Sequence, residues 1–168
     1  RPAGRILDER AFVNGMVGLM ATGGSTNLVL HLPAMAHAAG IELALEDFDA
    51  IAACVPLIAK VYPNGLADVN HFHAAGGLGF MIGELLEAGL LHPDTETIVG
   101  TGLARYTQEP KLIDGMLEWQ AGTVESLNTR ILRPVSDAFQ PTGGLKQLTG
   151  SLGEAVIKIS AVDPSRHV

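Results

Sequence analysis

One cysteine in 168 residues excludes an internal disulfide, and no uninterrupted apolar run approaches the length of a bilayer-spanning helix. The single cysteine, with the lack of a signal-like start, favours a reducing, cytoplasmic setting, and the lack of an apolar span leads to the expectation of a soluble protein with no membrane partner. Basic residues are scarce: 11 Lys and Arg stand against 18 Asp and Glu, for a net charge of −7. No basic stripe is available to meet nucleic-acid phosphates, which argues against a nucleic-acid partner. For an anionic small molecule the overall field is also unfavourable, so such a site must rely on local dipoles and a few nearby cations.

Several motifs are missing too. Gly77-Leu78-Gly79 is followed by Gly83 rather than by a glycine at position 82, and the segment has helical periodicity, so the dinucleotide fingerprint is not met. No lysine follows a glycine, which excludes a Walker loop, and no Gly-x-Ser-x-Gly elbow supports a serine hydrolase. Cys54 has no second cysteine with which to build a cluster and reads as a small hydrophobe. Glu42, Glu46, Asp47 and Asp49 have no histidine at ligand spacing and read as solvated, helix-capping acids.

What is present is an apolar chain, 47% hydrophobic, able to bury a sizeable core. Apolar residues at helical spacing predict a helix over 8–21, with Asp8 and Glu9 at its favourable end. A second helix is expected from Ser25 to about Ala38 with Pro33 inside it, and a short third over 50–55, stopped before Pro56. Residues 57–61 can form a strand, after which Pro63-Asn64-Gly65 turns the chain. A glycine-rich helix covers 68–88 with a break near Gly76, and 96–100 looks like a short strand. Residues 103–130 show little periodicity and read as a domain-linking segment. Two strands, 145–152 and 155–162, flank a turn at 151–154.

The stretch with most chemical content is Gly23-Gly24-Ser25-Thr26-Asn27, immediately ahead of an apolar helix. Two glycines allow close approach of the backbone, and Ser25 or Asn27 can cap the helix so that its first N–H groups meet an anion. On residue chemistry alone, an ordinary capped helix explains the same letters. Asp68 shares a helical face with His71, and Asn70 shares another with His73; a helix cap and a substrate contact both fit these groups. His31 and His37 read as packing residues.

Ala21-Thr22-Gly23-Gly24-Ser25-Thr26-Asn27 closely resembles a signature of the dihydroxy-acid/6-phosphogluconate dehydratase family. Tyr62-Pro63-Asn64-Gly65, Asp68-Val69-Asn70-His71-Phe72, Arg105-Tyr106-Thr107-Gln108-Glu109-Pro110 and Thr142-Gly143-Gly144-Leu145-Lys146 follow in that family's order, and their wording resembles its phosphogluconate branch. Gly153 to Lys158 is similar to the opening of the family's second domain, with a departure at Ser151, where asparagine is expected. The resemblance covers nearly the whole chain. It implies an α/β fold: the mainly helical end of a first domain over 1–118, a linker over 119–140, and the first strands of a β-rich, barrel-like second domain over 141–168. A start at Arg1 fits an internal piece of a longer enzyme.

For that longer enzyme the resemblance implies an iron–sulfur hydro-lyase of the Entner–Doudoroff pathway that converts 6-phospho-D-gluconate to 2-keto-3-deoxy-6-phosphogluconate. Its partner is a phosphorylated sugar acid, and the whole enzyme is expected to be a homodimer. Its cofactor is a 4Fe-4S cluster with ligands outside this chain, and magnesium is a second expected ion. The substrate-binding candidates here are Gly23, Gly24, Ser25, Thr26, Asn27, Asp68, Asn70 and His71. No catalytic or metal-ligating residue is expected in this chain, which by itself should be inactive. A sister sugar-acid or dihydroxy-acid dehydratase is the neighbouring alternative, and a non-catalytic helical binding module is the alternative of another class.

Overall fold

A computed structural model describes residues 2–166. Helix α1, Glu9–Thr22, begins where the Asp8 carboxylate accepts the Ala11 N–H at 2.9 Å, and its apolar spacing buries Phe12, Met16, Val17, Leu19 and Met20. It ends in a Schellman motif: the Gly24 N–H donates to Leu19 O at 3.0 Å and the Gly23 N–H to Met20 O at 3.3 Å. Gly23, at φ 55°, takes the left-handed conformation this closure needs.

Helix α2, Leu28–Ala38, starts three residues later than its apolar pattern predicts, because residues 25–27 form turns before the helix. Pro33 lies inside it, and only Val29 and Ala36 are buried. Helix α3, Leu45–Cys54, extends the expected 50–55 helix backward by one and a half turns. Asp47 makes this possible by accepting the Ala44 N–H at 2.8 Å, as expected of an acid that caps a helix. Phe48 and Ala52 face the core.

The run 57–61 is extended, with Leu57, Ile58 and Ala59 buried and Lys60 exposed, but joins no sheet. Leu57 pairs with Gln140, Ala59 with Leu132 and Val61 with Ala67 through isolated bridges. The expected helix over 68–88 is two helices, α4 Val69–Ala74 and α5 Gly77–Glu87, divided at Ala75 and Gly76 as the glycines predict.

Three separate antiparallel hairpins follow: β1 Glu96–Thr97 with β2 Gly100–Thr101, β3 Gln108–Ile113 with β4 Met116–Ala121, and β5 Lys146–Gly150 with β6 Gly153–Ile157. The fold is thus α/β, with five α-helices and then small strand pairs among the described residues. The short strand expected over 96–100 folds back on itself at Ile98 and Val99. The larger correction concerns 103–130, which holds the β3–β4 hairpin with Ile113 opposite Met116. Asp114-Gly115 is its two-residue loop, both residues at positive φ (49° and 80°), the geometry that matches strand twist. β6 stops at Ile157, short of the expected Val162, and residues 159–161 form a 3₁₀ turn.

One core holds the helical part together. Met16, Met20, Phe48, Ile58, Phe72, Phe80 and Leu85 belong to it, and so do Ile131, Leu132 and Leu145 from the later chain. Residues 119–140, expected as a linker, therefore contain the end of β4 and two side chains of this core.

Candidate functional site

The loop between α1 and α2 is a junction of opposite helix ends. Asn64 secures the α1 side: its Nδ2 donates to Thr22 O at 3.1 Å and Gly23 O at 2.8 Å, and its Oδ1 accepts the Ser160 hydroxyl at 2.9 Å. Thr142-Gly143-Gly144 closes over the same place. A Cβ on Gly144 would lie 2.6 Å from Gly23 Cα, and the Gly143 N–H donates to Ala52 O at 2.7 Å. Gly23 is buried here, between protein groups, so its lack of a side chain serves packing and the turn.

The α2 side of the loop is open. Ser25 Oγ accepts the Asn27 N–H at 3.2 Å and Ser25 O accepts the Leu28 N–H at 3.1 Å, which makes Ser25 the capping residue of the turn. Asn27 stands next to α2 but its side chain makes no cap bond. The N–H groups of Ser25 and Thr26 have no acceptor among the described residues, and both side chains are exposed. They lie just ahead of the positive end of α2 with donors to spare.

A cavity of about 1070 Å³ opens beside this loop. Gly23, Gly24, Ser25 and Thr26 line it, together with Asn70, Phe72 and His73 of α4, Leu78 and Gly79 of α5, Tyr106, Glu109, Pro110 and Lys158. The structure therefore brings Asn70 to the glycine loop. It does not bring Asn27, Asp68 or His71 into that lining.

Asp68 and His71 are occupied with each other. Asp68 Oδ1 accepts the His71 N–H at 3.0 Å and lies 2.7 Å from His71 Nδ1, so the ring carries its hydrogen on Nδ1 and the pair caps α4. The His71 backbone N–H, with its ring hydrogen bond, holds the Asp68 carboxyl below the usual carboxylate range. On the cavity wall the Glu109 carboxylate is paired with Lys111 at 2.7 Å, which lowers its pKa, and His73 adds to the shift.

Five contributors were not singled out from residue chemistry. Asn64 is readable as a turn residue, but only the folded chain shows it clamping Thr22 and Gly23. Ser160 and Lys158 come from the far end of the chain, and the signal for Lys158 is a single cation between two isoleucines. Glu109 and Pro110 arrive on β3, the strand whose turn signal is Asp114-Gly115.

The comparisons with known proteins agree with one another. A family model described as "Dihydroxy-acid/6-phosphogluconate dehydratase N-terminal" matches residues 1–106. The chain is 55% identical over 168 residues to a phosphogluconate dehydratase of Rhizobium meliloti and 52% identical over 167 residues to one of Pseudomonas aeruginosa. It is 42% identical over 164 residues to a dihydroxy-acid dehydratase of Sulfurisphaera tokodaii. These alignments cover 99%, 99% and 96% of this chain, and the chain spans only 28%, 28% and 27% of the respective relatives.

Proposed function

The chain belongs to the dihydroxy-acid/6-phosphogluconate dehydratase family, and from that premise we propose that the whole protein dehydrates 6-phospho-D-gluconate to 2-keto-3-deoxy-6-phosphogluconate. The observation that carries this reading to the site is the meeting of the open Ser25 and Thr26 donors with Asn70 and His73 around one cavity. Higher identity to phosphogluconate dehydratases, 55% and 52% against 42% for the dihydroxy-acid enzyme, supports the phosphorylated substrate over its neighbour. The step is one of the Entner–Doudoroff pathway, in a homodimeric cytoplasmic enzyme. In this reading residues 1–118 complete a first domain and 141–168 open a second, with 119–140 as a strap between them.

In such a reaction the proton beside the carboxylate leaves, the neighbouring hydroxyl departs, and the enol that forms becomes the 2-oxo acid. The part of this chain is binding. The Ser25 and Thr26 N–H groups and hydroxyls receive an anionic end of the substrate, and Asn70 and His73 offer hydrogen bonds to its hydroxyls. The donors of this chain do not fit an iron–sulfur cluster. Cys54 is the only thiol, and among the described residues no three His, Cys, Asp or Glu side chains converge. The 4Fe-4S cluster, which would supply the Lewis acid for the leaving hydroxide, and any magnesium ion are therefore assigned to ligands beyond this chain.

Thr26→Val and Ser25→Ala in the complete protein test the binding role. Each removes a hydroxyl while leaving the backbone donors, and loss of a hydrogen bond to a charged group corresponds to about 1.5 to 3 kcal/mol in kcat/KM. Unchanged kcat/KM for 6-phosphogluconate in both variants would reduce these residues to a helix start. Gly24→Val is a poor probe of ligand approach, because its Cβ would meet Leu19 Cδ1 at 2.9 Å and disturb the end of α1.

A further inference from the structure

Lys158 follows β6 and lines the same cavity as the Gly23–Thr26 loop. Among the described residues no other lysine or arginine lines it. The attachment of this segment is firm: two residues on, the Ser160 hydroxyl meets Asn64 Oδ1 at 2.9 Å and Gly144 O at 3.2 Å, which ties residues 158–160 to the clamp behind Gly23. The one carboxylate on the cavity wall among the described residues, Glu109, is already paired with Lys111. Among the described residues the Lys158 ammonium has no ion-pair partner, and burial alone pushes its pKa down from the ordinary lysine range.

A partly buried ammonium with no counter-charge is an unfavourable arrangement that an incoming anion relieves. We infer that Lys158 is the cationic contact for an anionic end, carboxylate or phosphate, of the acid substrate. The inference rests on the dehydratase reading of this cavity and extends it. The cavity then holds two separate anion-attracting features, the open N–H groups of Ser25 and Thr26 and the Lys158 charge, for a substrate that is anionic at both ends. As a compact charge on a flexible stem, lysine suits either oxygen group without demanding bidentate geometry.

The experiment uses the complete, cofactor-loaded protein with Lys158→Met and Lys158→Arg. The expected result is a loss of tenfold or more in kcat/KM for 6-phospho-D-gluconate in Lys158→Met, substantial retention in Lys158→Arg, and unfolding temperatures unchanged in both. Inorganic phosphate and D-gluconate, used as competitive inhibitors, separate the two ends. Weaker inhibition by phosphate alone in Lys158→Met assigns the lysine to the phosphate end, and weaker inhibition by gluconate alone assigns it to the carboxylate end. Unchanged kcat/KM and inhibition constants in Lys158→Met overturn the inference, as does equal loss in both variants with a lowered unfolding temperature. If the wild-type protein does not dehydrate 6-phosphogluconate, the dehydratase reading itself fails. Lys158 is then judged by thermal shift: phosphate or gluconate stabilising the wild type but not Lys158→Met upholds an anion site, and equal shifts overturn it.

Discussion

Two atoms of one side chain determine the shape of the glycine loop. Asn64 donates to two carbonyls at the end of α1 and accepts from Ser160, so it joins three segments that local sequence does not connect. Asn64→Ala leaves those carbonyls without their donor, while the Ser160 hydroxyl keeps Gly144 O, at an expected cost of about 1 to 3 kcal/mol in urea unfolding of the complete protein. Asn64→Asp is expected to cost more, because it presents an acceptor to two acceptors. A stability loss under half a kilocalorie in both, on the order of a surface substitution, would mean that the clamp contributes nothing. Gly144 has an equally strict neighbour in Gly23, and the packing of these two glycines explains why both are needed without invoking a ligand.

At the scale of elements, the β3–β4 hairpin depends on its turn. Its strands are mostly exposed, with Leu112, Met116, Leu117 and Trp119 on the surface, so little core packing supports it. Gly115→Val forces a branched residue to φ 80°, a conformation that costs non-glycine residues about 1 to 2 kcal/mol. Faster hydrogen exchange in residues 108–121 with α1 unaffected is the expected outcome; uniform exchange rates would mean that the turn does not govern the hairpin. The β5–β6 hairpin is held differently. Asp49 of α3 receives Lys146 Nζ at 2.7 Å and the Gln147 N–H at 3.0 Å, and these contacts, Lys146 first, lower its pKa from 3.8. A depressed carboxyl stabilises the fold above its unfolded pKa and loses that contribution as pH falls through the folded value, so the loss lies below pH 3.8. Asp49→Asn should remove this acid-side dependence, and acid unfolding curves that descend in parallel for wild type and variant would contradict it.

For the whole molecule, the deciding feature is that the later chain completes the core of the earlier one. Leu132 is fully buried and its backbone bridges Ala59, while the Lys60 N–H donates to Ile131 O at 2.7 Å. Leu132→Ala should therefore behave as a core truncation, with a loss of about 2 to 5 kcal/mol in denaturant unfolding of the complete protein. A loss near zero would show that residues 131–132 are only loosely docked. No helix among the described residues is long and apolar enough to cross a membrane.

Short-range features were legible in the residues themselves. Asp8 and the apolar spacing behind it mark α1, and paired glycines mark the break between α4 and α5, whereas the alternation over 157–161 that suggested a strand runs beyond β6, which ends at Ile157. These signals work because caps, turns and periodicity depend on residues within a few positions of one another. Even so, the Asp114-Gly115 turn was available in the sequence and its strands were read as a linker, since their weak burial leaves little periodicity to recognise. The glycine loop was legible as a special place, but its division of labour was not: Gly23 closes a helix and packs on Gly144, while Ser25 and Thr26 keep open donors. Asp68 and His71 pair as their spacing suggests, but with Asp68 as the extended cap ahead of α4 rather than on a shared helical face, while Asn70 and His73 line the cavity. Tertiary structure alone decided that Asn64, Gly144, Lys158 and Ser160 gather around the loop. Contacts between residues distant in the chain follow from how the core packs, and no local pattern encodes them.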